Sequence, residues 1–350
     1  MPNDFYKEKN KNNIVKFREL TKDLPIFLNP YLRALNNTLS QSTKVAYVYD
    51  LKIFFNFLMT ENPMYAKNNI SEFTIDDLKK IDVYTLEEYV EYLTYYVRAK
   101  DEKFIEHTNG ERGISRKISS LRSMYTYFYK KGEVDSNPAE LIDIPKIHTK
   151  PIVTLDVHEV ANLLDEIESG ENLTKKQKDM HKKTKKRDLA LVSILLGTGM
   201  RISECVGINI NDIDFSNNSV KVIRKGGNES ILYFNNEVAT ALKDYKNDRE
   251  KLNAVEGNES ALFLSMQNKR ITQRAVQNLV KKYAHIISPL KKISPHKLRS
   301  TYATSLYKET QDIYLVADAL GHANVATTQK HYARMDDERR REAAKHVKLR

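Results

Sequence analysis

The sequence predicts a mainly α protein of two domains: an N-terminal helical bundle, then a mostly α domain carrying a small three-stranded antiparallel sheet. Three observations predict it. Apolar residues recur at gaps of three and four through most of the chain, which places them on single helix faces. Short β-rich pieces separated by turn residues cluster in one place, between positions 213 and 234. The 350 residues are more than one core ordinarily serves, and a basic, proline-punctuated stretch at 146–152 reads as a linker.

Composition limits the partners. The formal charge of +11 attracts a polyanion at long range, so nucleic acid is favoured over an otherwise unremarkable basic protein. Cys205 is the only cysteine, which rules out an intrachain disulfide and a cysteine-rich metal site. No apolar run approaches the roughly 20 residues that span a bilayer. The polar Met1-Pro2-Asn3-Asp4 start lacks a signal-peptide core. A cytoplasmic, nucleoid-associated protein with no membrane contact is expected.

Residues 1–25 are polar and lysine-rich, a leader or a helix with little core. The bundle then occupies 26–145. Val48, Leu51, Phe55 and Leu58 define one helix face, with Ser42 as N-cap and Pro63 beyond the end. Residues 69–96 read as one or two helices, with Thr85 capping the segment that carries Leu86, Tyr89, Val90 and Leu93. Ile114, Ile118, Leu121, Tyr125 and Phe128 repeat the spacing up to Gly132. No strand is expected in this half.

Two helix starts are basic: Ser42, Thr43 and Lys44 in one, Arg116 and Lys117 with Arg122 a turn later in the other. Backbone N–H groups and the helix dipole favour phosphate there, so these six are candidate DNA contacts. A solvated basic face is the plainer reading.

The second domain spans 153–350. Asp156 with Glu159 forms a capping box ahead of Val160, Leu163, Leu164 and Ile167. The lysine tract of 170–187 fits a disordered, solvated insertion and equally a flexible arm that neutralises DNA charge. The apolar run 189–196 is a buried helix stopped by Gly197 and Gly199. Pieces at 213–215, 219–223 and 231–234 form the antiparallel meander, with turns at 216–218 and 225–228. Everything after Asn236 is helical apart from a short apolar piece at 262–264.

Several chemistry-bearing residues lie here. His296 and Arg299, three apart at a helix start, share a face and suit an anion. Arg201 follows the Gly197/Gly199 pair, with Glu204 one turn on to orient it; its guanidinium suits bidentate phosphate contact. Lys225 stands at the hairpin tip, His322 follows the helix-ending Gly321, and Tyr332 is one of 20 tyrosines. Each alone has an ordinary structural explanation. As a set they suit gripping a phosphodiester while a phenolic oxygen attacks it.

Here the chain resembles a known family, the tyrosine recombinases or phage integrases. Gly199-Met200-Arg201-Ile202-Ser203-Glu204 is similar to the first arginine box, and Lys225 before Gly226-Gly227 resembles the hairpin lysine. His296-Lys297-Leu298-Arg299 resembles the His-x-x-Arg box, and Leu320-Gly321-His322 and Thr327 to Tyr332 resemble the last two. Ser300 stands where many members carry histidine, and the 170–187 tract is longer than in compact members. The N-terminal bundle resembles the core-binding domain, and the second the catalytic domain. Within the family the likeness is greatest to Xer-type recombinases.

The resemblance implies catalysis by Arg201, Lys225, His296, Arg299, His322 and the nucleophile Tyr332, with Glu204 in support. It also implies a 3′-phosphotyrosine intermediate, no metal and no cofactor. The implied partners are duplex DNA with an inverted-repeat site, a homo-tetramer on two duplexes joined through the C-terminal tail helix, and in some systems an activating protein. Chromosome or plasmid dimer resolution is the expected role. Integration or excision of a phage, transposon or conjugative element stands as the alternative, with a relaxing topoisomerase and a non-catalytic DNA-binding protein as further readings.

Overall fold

The computed structural model describes residues 4–100, 103–146, 148, 152–224, 226–321, 324–326 and 329. The chain divides into two compact units between residues 150 and 151.

The first unit contains α1 (Asp4–Thr21), α2 (Asn29–Ala34), α3 (Gln41–Glu61), α4 (Ile75–Lys80) and α5 (Val83–Thr94). A hairpin of β1 (Tyr95–Lys100) and β2 (Lys103–Thr108) follows, and then α6 (Glu111–Lys130). Leu51, Phe54, Phe55 and Leu58 of α3 meet Leu86 and Tyr89 of α5 and Ile118, Leu121 and Phe128 of α6 in one core. The expected apolar stripes are therefore the buried ones. α1 is a full helix rather than a loose leader. It lies along α3, with Phe17 and Leu20 packed on the core.

Three local expectations need correction. The cap of α3 is Ser40, whose hydroxyl accepts the Thr43 amide N–H at 3.3 Å, not Ser42. Asp82, not Thr85, caps α5, accepting from Thr85 N at 2.8 Å; a carboxylate at that position outcompetes the later hydroxyl. The bundle also contains strands. Tyr95 pairs with Thr108 and Lys100 with Lys103 in an antiparallel ladder. Tyr95-Tyr96-Val97 and Phe104-Ile105 favour extended backbone on either side of a charged tip, and Tyr96 stacks on His107 at 5.1 Å. Only Tyr95 and Tyr96, the first two residues of β1, fall within the one or two helices expected over 69–96.

The second unit opens with α7 (Val157–Ser169) and α8 (Lys175–Thr198), followed by α9 (Ile202–Gly207). Next come β3 (Ile213–Asp214), β4 (Ser219–Ile223) and β5 (Glu229–Tyr233), then α10 (Asn236–Arg249), α11 (Gln273–Ile287), α12 (Pro295–Thr310) and α13 (Ile313–Leu320). The sheet is a β3-β4-β5 antiparallel meander, as expected. The Asp156–Glu159 capping box is present, with reciprocal bonds of 2.9 and 2.8 Å. The 262–264 piece makes only bridges, Asn209 with Ala261 and Leu264 with Arg270.

The lysine tract is the main correction in this unit. It is neither disordered nor a flexible arm but the first half of α8, continuous with the buried half. Thr174 starts it, its amide N–H donating to Gln177 Oε1 at 2.9 Å. His181, Thr184 and Asp188 form a buried line on one face. His181 donates to the Ile167 carbonyl at 2.7 Å, and Asp188 accepts from the Thr184 and Tyr283 hydroxyls and from Arg187. Lys175, Lys176, Lys178, Lys182, Lys183 and Lys185 cover the exposed remainder. A helix whose polar residues repeat in register with the core holds its charged face in place.

Candidate active site

α8 ends at Thr198 because Gly199 adopts φ +60° and caps it, the Gly199 amide N–H donating to Leu195 O at 3.1 Å. A Cβ on Gly199 would lie 2.2 Å from the Tyr302 ring, so this turn requires glycine for space as well as for backbone angle. The chain then delivers Arg201 to the head of α9. Glu204, buried in the first turn, accepts the Arg201 amide N–H at 2.8 Å and its Nη1 at 3.0 Å. Glu204 thus holds both the backbone and the guanidinium of Arg201. The Arg201 side chain stays about a third exposed, at 35%.

α12 starts after Ser294 with Pro295 at its first position, where a missing N–H costs nothing. His296 is exposed in this first turn, and Arg299 is buried one turn later. Arg299 Nη1 donates to the Gly199 carbonyl at 2.7 Å and Nη2 to the Leu320 carbonyl. Arg201 Nη2 reaches the next carbonyl, Gly321, at 3.4 Å. Both arginines therefore converge on the carboxyl end of α13. That helix is held by Val316 and Leu320 against Ala303 and Tyr307 of α12. Tyr302, beside Arg299, has its hydroxyl pushed above the ordinary phenol value by burial, with the arginine's charge opposing.

The sequence reading missed a third arginine. Arg224, at the end of β4, donates from Nη1 to Asp318 O at 3.4 Å and from Nη2 to Ala319 O at 3.2 Å. Its position next to the hairpin lysine was the only available signal. Lys225, His322 and Tyr332 lie outside the described residues, as does everything from residue 330 onward, including the proposed tail helix. Of the candidate catalytic residues, the described ones are Arg201, His296 and Arg299, together with the candidate supporting residue Glu204.

In the first unit the six candidate DNA contacts separate. Ser42 is exposed and Thr43 half-buried. Lys44 is buried, its Nζ donating to Asn36 Oδ1 at 2.6 Å, and burial lowers its pKa. Lys117 is buried as well, donating to Asn109 Oδ1 at 2.7 Å. Arg122 is committed to the carbonyls of Ala139 and Ile142, at 2.7 and 2.8 Å. Arg116 pairs with buried Asp50 while half its side chain faces solvent. Three of the four cations among them therefore tie the bundle together internally, because cations near a core edge find carbonyl and amide acceptors there.

Known proteins resemble this one along most of its length. The phage integrase family pattern matches residues 154–339. The tyrosine recombinase XerC of Caldanaerobacter subterraneus is 34% identical over 344 residues, covering 95% of this chain and 89% of its own. XerC of Thermodesulfovibrio yellowstonii is 30% identical over 83% of this chain and 85% of its own. Among solved structures, XerH recombinase bound to its difH substrate has a TM-score of 0.60 at 21% identity, covering 91% of this chain and 82% of that one. The Tn1549 transposon integrase with circular-intermediate DNA reaches 0.61 at 21% identity, over 88% and 98%. These two share the fold. With family pattern, full-length relatives and fold in agreement, the chain belongs to the phage integrase family and is a Xer-type tyrosine recombinase, an enzyme that breaks and rejoins DNA.

Proposed function

We propose that this recombinase resolves dimeric chromosomes or plasmids, acting as a homo-tetramer across two duplexes, with Tyr332 as nucleophile. The phenolic oxygen forms a bond to the scissile phosphorus as the bond to the 5′-oxygen breaks, leaving a 3′-phosphotyrosine and a 5′-hydroxyl. A phenol titrates near 10 and is protonated at neutral pH, so His296 assists removal of its proton. Lys225 supplies the proton taken up by the departing 5′-oxygen. Arg201 and Arg299 neutralise the non-bridging oxygens, and His322 hydrogen-bonds them. Such preorganised donors are worth about 10²–10³ in rate apiece. The phosphotyrosine conserves the energy of the broken bond, so rejoining is the same step in reverse.

The observation that supports this reading is the meeting of Arg201 and Arg299 at adjacent carbonyls, Gly321 and Leu320, immediately before His322 in the sequence. In the first unit, Ser42, Thr43 and Arg116 are the candidate contacts left to DNA.

The test uses nicked suicide duplexes drawn from dimer-resolution sites and from the ends of mobile elements. Wild type is expected to leave a covalent band on a denaturing gel with the former and Tyr332→Phe with neither. Trapping on element ends alone would move the role to integration. Binding without trapping on any duplex would indicate a non-catalytic binder.

A further inference from the structure

The last carbonyls of a helix lack most of their partners within it, and at the carboxyl end of α13 arginines meet four successive carbonyls, of which Asp318 O also accepts the Gly321 amide N–H at 2.7 Å. Arg224 takes Asp318 and Ala319, Arg299 takes Leu320, and Arg201 takes Gly321. Positive charge is favourable at this end of a helix dipole. Two of these arginines already have a part in holding phosphate. Arg224 has none, and it precedes Lys225 directly.

Arg224 is fixed at both ends. Its backbone closes the β4–β5 hairpin, with its amide N–H donating to Asn228 O at 2.8 Å and its carbonyl accepting from Gly227 N at 3.1 Å. Its side chain lies against Gly321 so closely that a Cβ there would fall 1.6 Å from Nη1 and 2.3 Å from Cζ. Gly226 and Gly227, by contrast, have open space around them and positive φ. A tip of that composition does not by itself aim a lysine at one oxygen.

We propose that Arg224 is a positioning residue: by clamping the last rung of the hairpin onto the carboxyl end of α13, it makes proton delivery by Lys225 to the leaving 5′-oxygen efficient. The proposal rests on reading Lys225 as the general acid. A planar fork matches two neighbouring carbonyls, whereas a lysine at 224 offers only a point charge.

Replacing the bridging 5′-oxygen of the scissile phosphate by sulfur separates the possibilities, because a thiolate departs without a proton. Single-turnover cleavage of oxygen and sulfur duplexes is compared for wild type, Arg224→Ala, Arg224→Lys and Lys225→Ala, alongside duplex affinity and thermal melting. Arg224→Ala is expected to stay folded under the assay conditions, to bind as wild type and to cleave the oxygen duplex about 10²-fold more slowly, the size of a misplacement of roughly 1 Å. It should cleave the sulfur duplex at the wild-type rate, and Arg224→Lys should fall between. Rescue of Lys225→Ala but not of Arg224→Ala would overturn the role of Arg224 and leave the general acid standing. Failure of sulfur to rescue Lys225→Ala would overturn both. Wild-type cleavage of oxygen duplexes by Arg224→Ala, or its loss of binding or folding, would also overturn it.

Discussion

Arg299 serves two ends at once. It is buried, and its two donors hold the Gly199 turn and the last turn of α13. Arg299→Ala should therefore lower single-turnover cleavage by about 10²–10³ and also lower the unfolding midpoint, since two carbonyls lose their partner. Arg201→Ala should show a comparable rate loss with a smaller stability loss, because its side chain is partly solvated. Paired cleavage assays and melting curves distinguish the two. Gly199→Ala should cost about 1–3 kcal/mol in urea unfolding from crowding against Tyr302. These residues were legible because scarce residue types stood in one order along the chain. Lys44, Lys117 and Arg122 were not legible as internal groups. Their acceptors, Asn36, Asn109 and two backbone carbonyls, are brought to them by the fold.

Among the elements, helices with one clean apolar stripe, such as α3 and α6, were legible, and so was the three-stranded meander with its turn residues. The β1–β2 hairpin and the basic half of α8 were not. The hairpin's aromatic pieces abut a helix without a breaker, and the polar line of His181, Thr184 and Asp188 does not register in an apolar pattern. Between α3 and α6, burial raises the Asp50 carboxyl to about 6, with Arg116 opposing. In that window the folded chain holds a proton that the unfolded chain, titrating near 4, has lost. Stability from this group is present below about pH 4 and is lost as pH rises through about 6. Asp50→Asn should thus gain on wild type in melting temperature as pH rises from about 4 to 7, and match it most closely at the acid end.

For the whole molecule, the net charge of +11 predicts duplex affinity that falls steeply with salt, the slope counting the phosphates neutralised. Neutralising Lys175, Lys176 and Lys178 on the exposed face of α8 is expected to leave the catalytic step intact, since the active-site residues belong to the opposite end of that helix. Deleting residues 336–350 should impair pairing of two duplexes more than binding of one; equal losses would remove the tail from assembly. The central claim, that Tyr332 carries the DNA, is tested most directly by proteolysis of the trapped adduct followed by mass spectrometry of the nucleotide-bearing peptide. A nucleotide on Tyr332 through its 3′-phosphate, with the other strand end a 5′-hydroxyl, is the predicted result. A nucleotide on any other residue, or a 5′-phosphate linkage, would contradict it.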